Sequence, residues 1–457
     1  METLHIFNTL NSKKEVFNPI DKKHIKIYAC GPTVYNFAHI GNARMAVVFD
    51  TFVRTLRVLY PKVTYVSNIT DIDDKIIDAA KEAGVEISAI TEKYTQIYNE
   101  DMAKLNVLEP DVQPKATEYI PEMIKLIIDL IKKDFAYEKD GHVLFHVPSY
   151  NNYGKLSNRN RDEQIAGSRV EVAPFKKDPS DFVLWKPSDD TQPGWDSPWG
   201  VGRPGWHTEC SAMSEKTLGL PFDIHGGGRD LIFPHHENEI AQSCCSTANI
   251  DDPDSYAKYW MHNGFVTIDG EKMSKSLGNI ILVNDLTDKY HGEVIRLSLL
   301  SSHYRQGLDW NEKIIHQSNK LLTKLYDIVN DLSEIEISHE LDAGYNVISA
   351  LMDDFNTPGV IAELNAIIKE YNSKPDVNKH DIKAKLILAG SVLGILQDKS
   401  FNQASDELKE KVELLIQERL DAKNQKDFEL ADKIRNDLLD LGIEIKDTSE
   451  GTDWNLK

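Results

Sequence analysis

The sequence predicts an α/β protein: a doubly wound parallel sheet (Rossmann-like) carrying an inserted connective region, followed by a helical C-terminal half. Three observations predict it. Ile25–Ala29 reads as a buried strand, the pattern turns helical from about His39, and an apolar run restarts at Val63–Val66; strand, helix and strand within about forty residues begin a parallel, doubly wound sheet. Further strand patterns at Pro221–Ile224 and Tyr259–Met261 resume after a stretch rich in Gly, Pro, Asn and Asp. From residue 311 onward helical periodicity takes over.

Composition narrows the class. A chain of 457 residues has ample core, and 41 % hydrophobic with 27 % charged residues is ordinary for a soluble protein. The opening METLHIFNTLNSKKEVF has no signal-peptide core and no run of 18 apolar residues occurs, so the expectation is a cytoplasmic protein with no membrane partner. Cysteines at 30, 210, 244 and 245 are too few for a disulfide scaffold. A net charge of −21 excludes non-specific polyanion binding, so a nucleic-acid partner must meet a local basic patch.

In a doubly wound sheet the ligand crevice lies beyond the carboxyl ends of the strands. That places Cys30, Gly31, Thr33, His39 and Gly41 there. Taken alone, Cys30 reads as an inert core thiol. His39-Ile40-Gly41-Asn42 puts a histidine at a helix start before a glycine that lets a base lie against the backbone, which suits a nucleotide site. A polar helix cap is the bland alternative. Residues 75–133 read as helical, and residues 134–200 carry short strand patterns at His142–Val147 and Phe182–Trp185.

Gly205 to Glu239 holds one thiol, four imidazoles, several carboxylates and a triple glycine. A short strand at Pro221–Ile224 enters Gly226-Gly227-Gly228, where missing β-carbons let backbone approach a ligand. Pro234 suits the first position of a helix, which sets His235 and Glu239 four apart on one face. That pair is half a metal site to which Cys210 can add a thiolate, with His236 and Glu239 as a rival pair. Beyond it, Asp269-Gly270 is a turn signal feeding Lys272-Met273-Ser274-Lys275-Ser276. Two lysines and two hydroxyls on a short loop suit a mobile phosphate clamp, or simply a solvated basic turn. The C-terminal part suggests two helices broken near Pro358, then a helical hairpin, a short strand and a tail carrying Trp454. Arg419, Lys423, Lys426, Lys433 and Arg435 cluster there among acids, by default a solvated face.

The order of these motifs is what informs. HIGN after the first strand, KMSKS after the last and a helical C-terminal half resemble the class I aminoacyl-tRNA synthetases. ACGPTVY at 29–35, NITDIDDK at 68–75, GWHTECSAM at 205–213 and FPHHENE at 233–239 are similar to the cysteinyl-tRNA synthetase family. The resemblance runs nearly end to end, through MDDFNTP at 352–358 and Ile443 to Trp454.

It implies a ligase that activates L-cysteine with ATP and transfers it to tRNA(Cys), as a monomer in the cytoplasm. The family's ligands for one zinc fall on Cys30, Cys210, His235 and Glu239. Gly31, Thr33, Trp206, His225 and Asp230 would surround bound cysteine, and His39, Gly41, Asn42 and Lys275 would contact ATP, accompanied by Mg2+. His39, Lys272 and Lys275 would stabilise the charge that builds during activation. Asn42 stands where class I enzymes commonly carry a second histidine. Zinc prefers thiolate to hydroxyl, which separates cysteine from serine where ordinary hydrogen bonding would not. A thiol starts near pKa ~8.5, and discrimination of roughly 10⁴ to 10⁵ can come from one contact the competitor cannot make. An insertion of roughly seventy residues is short for an editing domain.

The expected segments are a catalytic domain at 1–133 and 201–264, the insertion at 134–200, a stem-contact region with the lysine loop at 265–320, a helical bundle at 321–398 and an anticodon-binding domain at 399–457. Cys244 and Cys245 match no ligand position and are expected in the core. Two alternatives remain on the sequence: a related cysteine-activating ligase with an amino-sugar acceptor, and a non-catalytic RNA-binding paralogue. The Trp454 segment favours tRNA over the first, and intact motifs speak against the second.

Overall fold

The computed structural model describes residues 3–160, 163, 173–247, 249–274, 276–337, 345–373, 377–398, 401, 406–440, 443–447 and 451–456. Lys275, expected in the phosphate clamp, lies outside the described residues.

An N-terminal hairpin, β1 (His5–Asn8) and β2 (Lys13–Val16), precedes the expected crossover of β3 (Ile25–Ala29), α1 (Ile40–Leu59) and β4 (Val63–Ser67). Helices α2 (Asp74–Ala83), α3 (Ile87–Lys104) and α4 (Ile120–Lys132) follow. The insertion forms a four-stranded antiparallel sheet of β5 (Ala136–Lys139), β6 (His142–Phe145), β7 (Phe182–Pro187) and, just past its expected end at 200, β8 (Gly202–Pro204). The parallel sheet then resumes with α5 (Trp206–Leu218), β9 (Phe222–Gly228), α6 (Glu237–Ser246) and β10 (Ala257–Asn263). Its order is β10-β9-β3-β4, all parallel. The chain winds outward both ways from the β3–β9 pair, so their carboxyl ends form the switch point where a ligand crevice opens.

Alternation along β3 explains why the sheet is buried on both faces. Ile25, Ile27 and Ala29 join one core with Phe49 and Phe52 of α1, while Tyr28 and Cys30 join the other with Met213 of α5 and Trp260. The triple glycine differs from its expected role. It is the carboxyl end of strand β9 itself, with Gly226 paired to Met261, Gly227 to His262 and Gly228 to Asn263. A β-carbon on Gly226 would lie 2.1 Å from the Phe49 ring. Its small size therefore admits α1, not a ligand.

After β10, β11 (Val266–Ile268) turns through Asp269 and Gly270, at φ of 48° and 84°, into β12 (Glu271–Lys272), as the turn signal predicted. Helices α7 (Val283–Thr287) and α8 (Gly292–Leu299) lead to β13 (Leu308–Trp310), parallel to β11. The helical half follows as α9 (Glu312–Asp331), α10 (Tyr345–Met352), α11 (Thr357–Ser373) and α12 (Lys379–Leu393). The break falls at Asp353–Asn356, ahead of Pro358, which is the second residue of α11. Asp354 and Phe355 take φ of 58° and 51° there. The Asp354 carboxylate offsets that strain by accepting from Phe7 N–H, Tyr304 OH and Arg305.

A buried charge cluster joins the bundle to the sheet domain. Arg296, fully buried on α8, pairs with Asp50 of α1 and donates to Leu393 O at the end of α12. Glu293 accepts the Leu396 and Gln397 N–H groups, each at 2.8 Å. Removing one partner of such a pair strands the other charge, typically at about 3–5 kcal/mol.

The chain ends in a hairpin of α13 (Asp406–Asn424) and α14 (Phe428–Asp440) and a strand pair, β14 (Ile443–Asp447) and β15 (Thr452–Leu456). Val412, Ile434, Leu438 and Ile443 form its own small core, with Trp454 packed on it. Phe401 instead belongs to the bundle core, stacked on Tyr326. Phe401, two residues past the boundary expected at 399, thus packs with the bundle. Among the described residues no helix is long and apolar enough to cross a membrane.

Candidate active site

Residues at the carboxyl end of β3, on α5 and around the start of α6 converge at one buried point. Cys30 leaves β3, Cys210 sits in the second turn of α5, and His235 and Glu239 flank the start of α6. Helix α6 begins at Glu237, not at Pro234 as the proline suggested. A wide turn over Ile232–His236, with Phe233 extended, comes first. His235 still meets Glu239 at 2.9 Å. The Cys30 sulfur lies 3.6 Å from Cys210 Sγ and 3.5 Å from both His235 Nε2 and Glu239 Oε1.

A tetrahedral zinc with bonds of about 2.3 Å to sulfur and 2.0–2.2 Å to nitrogen or oxygen separates its ligand atoms by roughly 3.3–3.8 Å. The three edges from the Cys30 sulfur match that range, and the His235–Glu239 edge is shorter, as a direct hydrogen bond. Two thiols, an imidazole and a carboxylate, all under 4 % exposed, are thus a donor set for a thiophilic divalent cation. A second set shares Cys30 and Glu239 but uses His225 and His236. It is the poorer fit for a thiophilic cation, since it offers one sulfur instead of two.

Outer groups hold these donors. His207 Nδ1 meets His235 Nδ1 at 2.9 Å, and His262 meets His236 Nδ1 at 2.8 Å. The other Glu239 oxygen takes Tyr256 OH at 2.8 Å and His225 Nε2 at 3.0 Å. Cys30 donates to the Cys210 sulfur, drawing that thiol down to about 6, while burial raises Cys30 itself. Burial opposes the His235 imidazolium, but Glu239 and Cys210 outweigh it and lift His235 to about 10. His262, buried and facing His225 and Arg229, falls to about 3.

The expected cysteine contacts divide. Gly31 and Thr33 are half-buried at the crevice, and a β-carbon on Gly31 would lie 1.6 Å from Asn68 O. Trp206, 38 % exposed, stacks on His235 with centroids 4.2 Å apart. Asp230 is exposed just past β9. His225 has no exposed surface and sits behind the cluster on Glu239, not on the open side.

The nucleotide motif is a closed capping box. His39 precedes α1 and its Nδ1 accepts from Gly41 N–H at 3.1 Å and Asn42 N–H at 3.3 Å, while Asn42 Oδ1 accepts His39 N–H. Nδ1 is an acceptor there, so a neutral ring leaves Nε2–H as its donor, and burial lowers His39 against the pull of Asp230. A β-carbon on Gly41 would touch the His39 ring at 3.0 Å. The glycine's first service is therefore to this cap. The lysine loop is tied to the same place. Ile40 N–H donates to Ile281 O and Val283 N–H to Ala38 O, and Met273 Cε lies 3.5 Å from the Gly41 β-carbon position. Lys272 is exposed on β12, and Asn279 braces the loop through Ser274 N–H and Lys272 O.

A model of the class I (C) tRNA synthetase catalytic domain matches residues 16–320, two thirds of the chain. The cysteine–tRNA ligase of Parvibaculum lavamentivorans is 53 % identical over 461 residues, covering 99 % of this chain and 98 % of that protein. This chain belongs to the cysteine–tRNA ligase family. The Rhodospirillum rubrum cysteine–tRNA ligase is 51 % identical, with 99 % of each chain covered. Residues 346–397 match a DALR domain, α10 to the end of α12. Among solved structures, Mycobacterium tuberculosis methionyl-tRNA synthetase with methionyl-adenylate has a TM-score of 0.56 at 15 % identity, covering 81 % of this chain and 89 % of that one. The Agrobacterium radiobacter LeuRS–tRNA–LeuAMS complex has a TM-score of 0.60 at 12 % identity, covering 83 % and 84 %. Those two likenesses carry the fold alone. Neither the amino-sugar ligase nor the non-catalytic paralogue is favoured by the matches.

In this cysteine–tRNA ligase relative, sequence reasoning missed the residues around the candidate donors: Asn68, Thr70, His207, Glu209, Tyr256 and His262. One signal was available. Asn68 directly follows β4, the parallel neighbour of β3, so it had to lie beside Cys30 and Gly31.

Proposed function

We propose that this protein activates L-cysteine with ATP and transfers the cysteinyl group to tRNA(Cys). The observation that carries the reading is 53 % identity with a cysteine–tRNA ligase over the whole chain, all four donors being in place. Zinc, one per chain on Cys30, Cys210, His235 and Glu239, would supply the discrimination, binding a thiolate strongly and a serine hydroxyl poorly. Gly31, Thr33, Trp206 and Asp230 line the open side against cysteine, and His225 acts through Glu239.

Activation joins a cysteine carboxylate oxygen to the α-phosphorus of ATP while the bond to the β-phosphate oxygen breaks, and pyrophosphate leaves with the electron pair. His39 offers its Nε2–H to a phosphate oxygen, Gly41 and Asn42 fix that ring, and Lys272 and Lys275 offset the developing charge, to which Mg2+ carried by ATP would add. A terminal ribose hydroxyl of tRNA then attacks the acyl carbon and AMP departs. Residues 265–320 contact the acceptor stem, 321–398 form the bundle and the C-terminal unit reads the anticodon. The protein acts as a monomer in the cytoplasm.

Cysteine-dependent ATP–pyrophosphate exchange, run beside a zinc determination and tRNA(Cys) charging, tests the reading. Exchange that serine supports equally, or none at all, overturns it. A further result is expected at the lysine loop. Lys275→Ala should slow adenylate formation roughly 10²- to 10³-fold and leave cysteine affinity nearly unchanged. Single-turnover kinetics with the opposite pattern would take the loop out of the chemistry.

A further inference from the structure

Asn68 is 1 % exposed and carries no group that the reaction uses, yet its side chain meets Gly31, Thr70 and Cys210. Its Oδ1 accepts Gly31 N–H at 2.9 Å and lies 3.7 Å from the Cys210 sulfur. Its amide donates to Thr70 Oγ1 at 3.3 Å, and the Thr70 hydroxyl donates onward to Glu209 Oε2 at 3.0 Å. The chain of bonds runs one way, which fixes how the amide faces. The main chain closes the same contact. The Gly31 α-carbon abuts Asn68 O, and Thr70 N–H donates to Pro32 O at 3.0 Å. Cys30 comes from β3 and Cys210 from α5, a strand and a helix that no ladder joins. Among the described residues, the side chain that meets both the Cys30–Gly31 peptide and the Cys210 sulfur is Asn68.

We propose that Asn68 is a positioning residue for cysteine selection, holding the Cys30–Gly31 peptide and the Cys210 sulfur in a single geometry. The inference rests on the function proposed above. Groups behind metal ligands typically set metal affinity by tenfold or more without touching the metal. Removal of the Asn68 oxygen frees the Gly31 N–H and lets the two sulfurs drift apart. The adenosine side, built on the His39 cap, shares none of these bonds.

The experiment compares wild type, Asn68→Ala and Asn68→Asp, the last keeping an oxygen toward Gly31 N–H. Zinc retention against a chelator, KM and kcat for cysteine in exchange, the cysteine-to-serine ratio, ATP affinity and Tm are measured. Asn68→Ala should lose zinc roughly 10- to 100-fold more readily, raise KM for cysteine by about tenfold or more and lower the cysteine-to-serine ratio. Its kcat and ATP affinity should stay within about threefold of wild type, and Asn68→Asp should recover most of the zinc retention. Wild-type retention and selectivity in Asn68→Ala overturn the inference, as does an equal loss of ATP affinity. If Asn68→Ala does not fold, Asn68→Asp decides: retention within about threefold of wild type supports the role, and a tenfold loss overturns it. A wild type without zinc or cysteine activation removes the underlying function instead.

Discussion

Cys210→Ser and His235→Ala are each expected to lose bound zinc and cysteine affinity together while ATP binding persists. Both donors are buried against Cys30 and Glu239, and neither shares a bond with the His39 cap. Serine replaces a sulfur with an oxygen that keeps its proton, so the set loses the thiolate that favours zinc. Cysteine-over-serine selection should then fall by roughly 10⁴, most of what one decisive contact supplies. The pair of variants also separates the two overlapping donor sets. If the metal sat on Cys30, His225, His236 and Glu239, His235→Ala would keep it and His236→Ala would lose it. Zinc stoichiometry on the purified variants, beside calorimetric titration with ATP, reads both. A His235→Ala protein with full zinc and unchanged cysteine affinity would reassign the site.

The sheet was legible because Ile25–Ala29 and Val63–Val66 are rich in apolar residues and the crossover between them is short. The positions of Cys30 and Gly31 followed from that topology alone. Choosing His235 over His236 did not, because both are buried and both reach Glu239. Cys30 does not separate them either, at 3.5 Å from His235 and 3.3 Å from His236; Cys210, grouped with His235 alone, does, and its place depends on how α5 meets β3. The triple glycine misled for a related reason. Small residues mark close approach without saying what approaches. Phe49 is remote from Gly226 in sequence, yet its ring lies 2.1 Å from where a Gly226 β-carbon would stand. Helix starts were read one turn early at Pro234, since the wide turn that delivers His235 has no composition of its own. Asn42, a departure from the class I pattern, proves locally consistent: its oxygen closes the capping box on His39.

Deleting residues 402–457 is expected to leave pyrophosphate exchange intact and lower tRNA charging efficiency by roughly 10²-fold, the equivalent of about two charge-assisted hydrogen bonds. The cut must follow Phe401, because that ring fills the bundle core beside Tyr326, and a cut at 399 would add a folding defect. Beyond it, the core of Val412, Ile434, Leu438 and Ile443 is self-contained. Trp454 packs on that core, so it braces the unit more than it offers a free stacking face. Arg419 and Lys423 are likewise committed, both to Asp447, at 2.8 Å and 2.6 Å. Of the five clustered cations that leaves the exposed Lys426, Lys433 and Arg435 on the hairpin for phosphate, which is how a chain of net charge −21 can meet RNA locally. Removing each phosphate-binding cation should flatten the salt dependence of tRNA binding by about 0.7 in logarithmic slope. The triple substitution Lys426→Ala, Lys433→Ala and Arg435→Ala should reproduce the charging defect while Tm stays near wild type, since none of the three lies in a core. Full charging by both the deletion and the triple variant would remove the anticodon from this segment.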